Sequence, residues 1–311
     1  MNKLALSLSC VLIFSHQLAA QTKTAPKKPS TTEQLQAATQ KYANAPATYR
    51  LQYKFRPGEE FRTVVTHLAT VDTKVKGVEE TMKSRSVSGK MWKIQKVDAN
   101  GNITFAQMVE WVEMWKSLTG RPDTKYDSRT DKEVPPDYQH VAQSVGVTLA
   151  TITIDPIGRV VTRDDADRAR ASSIGDLAVP FPEVAVKVGD KWHMPQDIQL
   201  FDDEKRVKVV KVRQQYTLEK VETGVATIGV ITQVLTPLDD PKLQSQLVQR
   251  LQKGTVKFDI DAGRIIQRQM DLDETVLGFS GADSSMQYLA RYSEEQVKSG
   301  VAASKAGTSK K

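Results

Sequence analysis

Groups able to do covalent or acid–base chemistry are few in this chain. Of four histidines, His16 falls in an apolar leader, leaving His67, His140 and His193 at spacings that make no metal-ligand pair. The single cysteine, Cys10, lies in the same leader, so the mature chain offers neither a disulfide framework nor a thiolate zinc site. Asp98-Ala-Asn100-Gly101-Asn102 has the oxygen ligands of a calcium loop, but its glycine is fourth rather than sixth and no bidentate glutamate follows at twelve. Flanked by strand-like sequence, it reads as a hairpin turn. Asp202-Asp203-Glu204 reads as a solvated loop, and Asp239-Asp240 as the acidic start of a helix. Gly278-Phe-Ser280-Gly281 is not a nucleophile elbow, and phosphate loops and dinucleotide fingerprints are absent. Asn102-Ile-Thr104 is a glycosylation sequon by chance, set in that same tight turn. The sequence predicts no catalytic residues, no metal and no cofactor. A hydrolase whose site is assembled from distant residues stays open only because such triads are spatial.

What the chain does offer is apolar surface on strands. Ile103 to Trp115 reads as one long strand with large residues in both phases. One phase holds Phe105, Val109, Trp111 and Trp115; the other holds Ala106, Met108, Val112 and Met114. Such a strand is buried on both sides, or packs one face in the core and lines a groove with the other. These residues, Ala106 apart, are the candidate ligand-binding set.

The elements around it are mostly strands. Tyr49-Arg-Leu51-Gln-Tyr53-Lys-Phe55 alternates with period two, a half-buried strand, and Arg56-Pro57-Gly58-Glu59 turns the chain into a second at Phe61–Val71. Strands are expected at 81–97, 147–155, 159–162, 198–201, 207–218, 225–235, 255–260, 264–276 and 286–292. Residues 117–134 read as a polar loop. Helical spacing appears at 32–42, after Pro135-Pro136, at 164–171, and after Asp239-Asp240-Pro241, this last ending at Gly254. The fold class is mainly β: antiparallel sheets in two related halves, at 33–175 and 176–298, with a few short helices.

Two phrases tie the halves together: Ile152-Thr-Ile-Asp155-Pro-Ile-Gly158-Arg159-Val160-Val161 and Phe258-Asp-Ile260-Asp261-Ala-Gly263-Arg264-Ile265-Ile266. Each reads as a hairpin, and the Asp–Gly–Arg of each reads as turn geometry rather than a charged site. Two further landmarks recur in the same order. Gly58-Glu-Glu-Phe61 matches Gly189-Asp-Lys-Trp192, and Trp92-Lys-Ile94-Gln-Lys96-Val97-Asp98 matches Tyr216-Thr-Leu218-Glu-Lys220-Val221-Glu222. Three matches in order indicate an internal duplication. With these phrases and Val188-Gly189-Asp190-Lys-Trp192, the chain resembles a family of exported bacterial proteins of unknown function. That resemblance implies export and a β-rich build, and brings no catalytic residues.

The ends complete the picture. Lys3, the apolar run Leu4–Phe14 and Leu18-Ala19-Ala20 form a secretory signal over residues 1–20, too short to span a membrane. Ser7 stands where a lipoprotein signal would need an aliphatic residue, so no lipid anchor is expected. A linker at 21–32 and a tail at 299–311 are lysine-bearing and disordered by composition. The formal net charge is +7; one positive charge leaves with the signal and three lie in each basic end, so the core is neutral. A nucleic-acid interface is excluded on that ground, while the tails offer at most a contact with an anionic surface. The sequence thus points to a periplasmic or secreted, non-enzymatic protein that binds an apolar ligand or lipid on a sheet surface or groove. The alternatives are an assembly module that meets another envelope protein, and the dispersed-site hydrolase.

Overall fold

A computed structural model describes residues 47–165 and 178–297. The signal, the linker, the helix expected at 32–42, most of that expected at 164–171 and the basic tail lie outside these residues. Twelve strands form one antiparallel sheet. In chain order they are β2 (Glu60–Val75), β3 (Val78–Val97), β4 (Ile103–Leu118), β5 (Thr124–Asp127), β6 (Thr148–Ile154), β7 (Val160–Asp165), β9 (Lys191–Phe201), β10 (Val207–Glu222), β11 (Val225–Val234), β12 (Lys253–Asp259), β13 (Arg264–Leu277) and β14 (Ser284–Gln296). Their order across the sheet is β7-β6-β4-β3-β2-β14-β13-β12-β11-β10-β9, with β5 paired onto β4. A separate ribbon joins β1 (Thr48–Tyr49) to β8 (Val186–Lys187). Among the described residues two short helices interrupt the strands: α1 (Gln139–Ala142), entered through a 3-10 turn at Pro136–Tyr138, and α2 (Pro241–Leu247), continued by a 3-10 turn at Val248–Arg250. Among the described residues no helix is long and apolar enough to cross a membrane.

The two halves lie side by side in this sheet: β13-β12-β11-β10-β9 repeats the order β7-β6-β4-β3-β2, and β14 stands between them. The match extends to single bonds. Gly58 N–H donates to Ile94 O and Ile94 N–H to Glu59 O; Gly189 N–H donates to Leu218 O and Leu218 N–H to Asp190 O. The aromatic pairs Phe61–Trp92 and Trp192–Tyr216 face each other across the corresponding strands. Both halves have a bulge two residues past these anchors, between Ile94 and Lys96 and between Leu218 and Lys220. The hairpins β6–β7 and β12–β13 correspond as expected, with one correction. Ile154 and Phe258 occupy matching register positions, so Asp155 corresponds to Asp259 and not to Asp261. Asp155 accepts from the N–H groups of Ile157 and Arg159 and pairs with Arg159 at 2.7 Å. In the second hairpin Asp259 accepts from Ala262 N–H, while Arg264 reaches away to Glu59 at 2.6 Å. The second turn is one residue longer, and the similar letters conceal it.

Leu51 to Phe55 is not a strand of the sheet, although its alternation does describe its burial: Leu51 and Tyr53 are in the core. Its backbone is satisfied by the two turns instead. Tyr53 N–H donates to Pro156 O at 2.7 Å and Lys54 N–H to Gly263 O at 2.9 Å. Tyr53 packs against Phe181 and Phe258, and its hydroxyl bonds the Val179 backbone. One main core therefore draws on both halves, from Phe61, Trp92 and Phe105 to Trp192, Tyr216 and Phe258. The face of the sheet bearing these residues is called the inner face below.

Three further expectations change. The loop at 117–134 contains β5, Asp164 and Asp165 belong to β7, and the second helix stops at Arg250, with Gly254 already in β12. Asp240 caps α2 by accepting from Lys242 N–H, and Pro241 needs no donor there. Leu243 and Leu247 pack on Ile198, Leu200, Val210 and Val212, and Val248 packs on Val276, Met286 and Tyr288. This helical segment thus bridges the inner face from β9–β10 to β13–β14.

Candidate functional site

The seven residues singled out on β4 do not share faces as period two predicts. Gly89 pairs with Trp111 but Lys90 pairs with Val109, so Glu110 is an extra residue in β4. A one-residue bulge reverses the alternation beyond it. Phe105 lies on the inner face, stacked on Trp92 at 4.7 Å between ring centres. Val109, Val112 and Met114 share that face further along, packed under Tyr126, Tyr138 and α1. Met108, Trp111 and Trp115 point outward with their partners Met91, Gly89 and Arg85. Trp111 covers Gly89 and lies under the Arg129 guanidinium at 4.3 Å. Six of the seven are therefore packed against protein, or face away from both the core and any depression.

Trp115 borders a trough of about 820 Å³ on the outer face. Two cross-strand rows form its floor, Trp115–Arg85–Leu68–Arg291–Asp271 and Lys83–Thr70–Leu289–Asp273. Arg291 pairs with Asp271 within it, and Arg85 pairs with Glu113 beside it. Trp115 itself donates Nε1–H to Asp123 at 3.0 Å.

The inner face holds a smaller and different site. Three rows run across β13, β14, β2 and β3: Arg268–Glu294–Val65–Ser88, Met270–Tyr292–His67–Ser86 and Leu272–Ala290–Ala69–Ser84. Between this face and the chain that follows α2, at Gln249, Leu251 and Gln252, lies a pocket of about 200 Å³. Leu251, Met270, Leu272, Tyr288 and Ala290 form its apolar wall, and His67, Tyr292 and Arg268 its polar end. Arg268 also lines an adjoining gap of about 20 Å³ shared with Thr63, Trp92 and Glu294.

Charges are buried at that polar end. Arg268 and Glu294 are each less than one-tenth exposed and form an ion pair at 3.7 Å. Glu294 also accepts from the hydroxyls of Thr63 at 2.9 Å and Tyr292 at 3.0 Å. Burial works against the Glu294 carboxylate, but Arg268, Lys90 and the two hydroxyls outweigh it and hold its pKa below the ordinary value. Lys90, next to Thr63 on β3, is pulled below its usual range by burial, which the Glu294 charge opposes. Burial likewise lowers His67 and raises Tyr292.

These shifts carry a pH signature. A histidine lowered on folding contributes stability that is full above its unfolded pKa, about 6.5, and is lost as pH falls. A lowered glutamate behaves in the same sense, from about 4.3 downward. The urea midpoint should therefore fall as pH drops below about 6.5 and fall again below about pH 4. His67→Gln should remove the first drop and leave the second. A midpoint unchanged from pH 7 to 5 in the parent protein would contradict the burial of His67.

Sequence reasoning missed this site, although a signal for it exists. Arg268 falls in the apolar phase of Met270 and Leu272, Glu294 in that of Tyr288, Ala290 and Tyr292, and Lys90 in that of Trp92 and Ile94. Three charges standing where three strands call for apolar residues mark one spot. Among the described residues no group of three or more His, Cys, Asp or Glu is placed to hold a metal ion.

No protein-family model matches the chain, and no curated protein does. Among solved structures, lipovitellin, in a study of its lipid–protein interactions, aligns at 13% identity and a TM-score of 0.42 over 81% of this chain and 27% of that one. DynF from the dynemicin biosynthesis pathway of Micromonospora chersina aligns at 6% identity and a TM-score of 0.21, over 81% and 86%. The Salmonella SPI-1 secretin InvG aligns at 8% identity and a TM-score of 0.19, over 88% and 68%. The chain spans about a quarter of the lipovitellin chain.

Proposed function

We propose that this is an exported, non-enzymatic binding protein that holds an apolar molecule in the inner-face pocket. The observation that carries the reading is the pocket's construction: an apolar wall of Leu251, Met270, Leu272, Tyr288 and Ala290, with His67, Tyr292 and Arg268 at one end and Gln249, Gln252, Lys253 and Asp271 completing the lining. Small-molecule sites are built in this way, mostly apolar with few placed polar groups. The volume, about 200 Å³, corresponds to roughly seven groups of about 30 Å³, the share of one water molecule in the liquid. That suits a short or medium aliphatic chain.

Native mass spectrometry of the protein purified from its own source should show a bound apolar molecule. Ala290 lines the pocket beside its register partner Leu272, and Ala290→Phe should fill it and weaken binding by roughly ten-fold or more. Bare protein with no response to added lipid would rule against the reading.

A second reading, an assembly module, draws on a separate feature. The terminal strand of the sheet, β9, ends at Phe201, 51% exposed, beside Val207, 53% exposed; the Gln246 amide holds the Phe201 backbone, and the rest of the strand forms the sheet's edge. Such an edge can accept another chain by strand addition. In-cell cross-linking from position 201 that captures no partner would count against it.

A further inference from the structure

The same pocket narrows the chemistry of its occupant, and this step rests on reading the pocket as a ligand site. Arg268 lines its polar end, and Lys90, which lines neither cavity, stands one row further along the inner face opposite Thr63, so two cations meet one carboxylate, Glu294. Glu294 already has Arg268, Thr63 and Tyr292 around it, so its charge is matched once. One positive charge is left over in a half-enclosed, partly apolar place where uncompensated charge is costly. At the rim, Lys253 is a third cation, while Asp271 is turned toward Arg291 and Gln269. A second observation points the same way. Trp92 lines the small gap beside Arg268, and its buried indole Nε1–H has no acceptor among the described residues. A buried donor of that kind calls for an acceptor atom.

We infer that the pocket takes a monoanionic amphipath, a medium-chain carboxylic acid, with its chain along Leu251, Met270, Leu272 and Ala290 and its carboxylate toward Arg268 and Lys90. Neutral heads of the same size leave the extra charge unmatched. Zwitterionic heads bring a cation that has no counterpart at the polar end.

Octanoate and octanamide test this, because they share a chain of the length the volume suits and differ in head-group charge. Isothermal titration calorimetry with the full chain at pH 7.5 should show octanoate binding roughly ten-fold or more tightly than octanamide. Lys90→Met removes the excess cation and keeps the Arg268–Glu294 pair intact, so the variant should fold and the preference should shrink to about three-fold or less. Equal affinity of the parent protein for both compounds would overturn the head-group inference and leave the pocket reading standing. An undiminished preference in Lys90→Met would overturn the assignment of the carboxylate to Lys90 and Arg268. Failure of both compounds to bind would overturn the pocket reading itself.

Discussion

Arg268→Met should destabilise the protein by about 3–5 kcal/mol, measured as a fall in ΔG of unfolding by urea at pH 7. The side chains are similar in reach, and the loss comes from what stays behind. Glu294 is 7% exposed and keeps its charge because Arg268 is beside it. Without that guanidinium the carboxylate must remain charged with weaker compensation or take up a proton, and either outcome draws on folding free energy. Glu294→Gln should cost a comparable amount: the amide oxygen can still accept from Thr63 or Tyr292, but Arg268 and Lys90 are left without their carboxylate. The double variant Arg268→Met/Glu294→Gln should then be more stable than the two single losses predict. A coupling below about 0.5 kcal/mol would show that the two side chains do not act as a unit.

Gly158→Ala and Gly263→Ala should each lower stability by several kcal/mol, from two sources. Both glycines have left-handed backbones, φ +87° and +64°, which cost an L-residue about 1–2 kcal/mol. Both also meet the crossing segment at close range. A Cβ at Gly158 would lie 2.7 Å from Tyr53 Cε2 and from Val179 O; one at Gly263 would lie 2.5 Å from Lys54 Cγ and 2.6 Å from Lys54 N. Displacing those neighbours adds about 1–3 kcal/mol. Gly58→Ala is the control: its φ is +81° and nothing lies within 4 Å of a Cβ there. Thermal melts should rank Gly58→Ala well above the other two. Equal losses at all three positions would mean that backbone strain alone is at work.

Much of the architecture was legible because it rests on local rules. Glycines that must turn left-handed, aromatic anchors three residues after a glycine, and period-two alternation each leave a mark in the sequence, and the antiparallel β fold they mark is there. The failures share a different cause. The Glu110 bulge depends on how β4 aligns with β3, and no property of Glu110 itself announces it. From Trp111 onward every face assignment was inverted. Tyr49–Phe55 alternates like a strand, but its hydrogen bonds go to two turns more than 100 residues distant. The polar end of the pocket was missed because Lys90, Arg268 and Glu294 were each read as an ordinary strand charge. Only their phase, compared across three strands, distinguishes them.

The place of β14 has a consequence of parity. Each half contributes five strands to the main order, and neighbours in the sheet are all antiparallel. If an odd block joined its copy directly, matching strands would run in opposite senses and matching turns would emerge at opposite ends. One added strand makes the repeat distance six, an even number, so β7 and β13 run the same way. The turns at Gly158 and Gly263 therefore open at one end of the sheet, where the short stretch Tyr53–Lys54 bonds to both. Counted this way, the thirteen residues of β14 act as a phase corrector: they allow two copies of an odd module to share a single clasp.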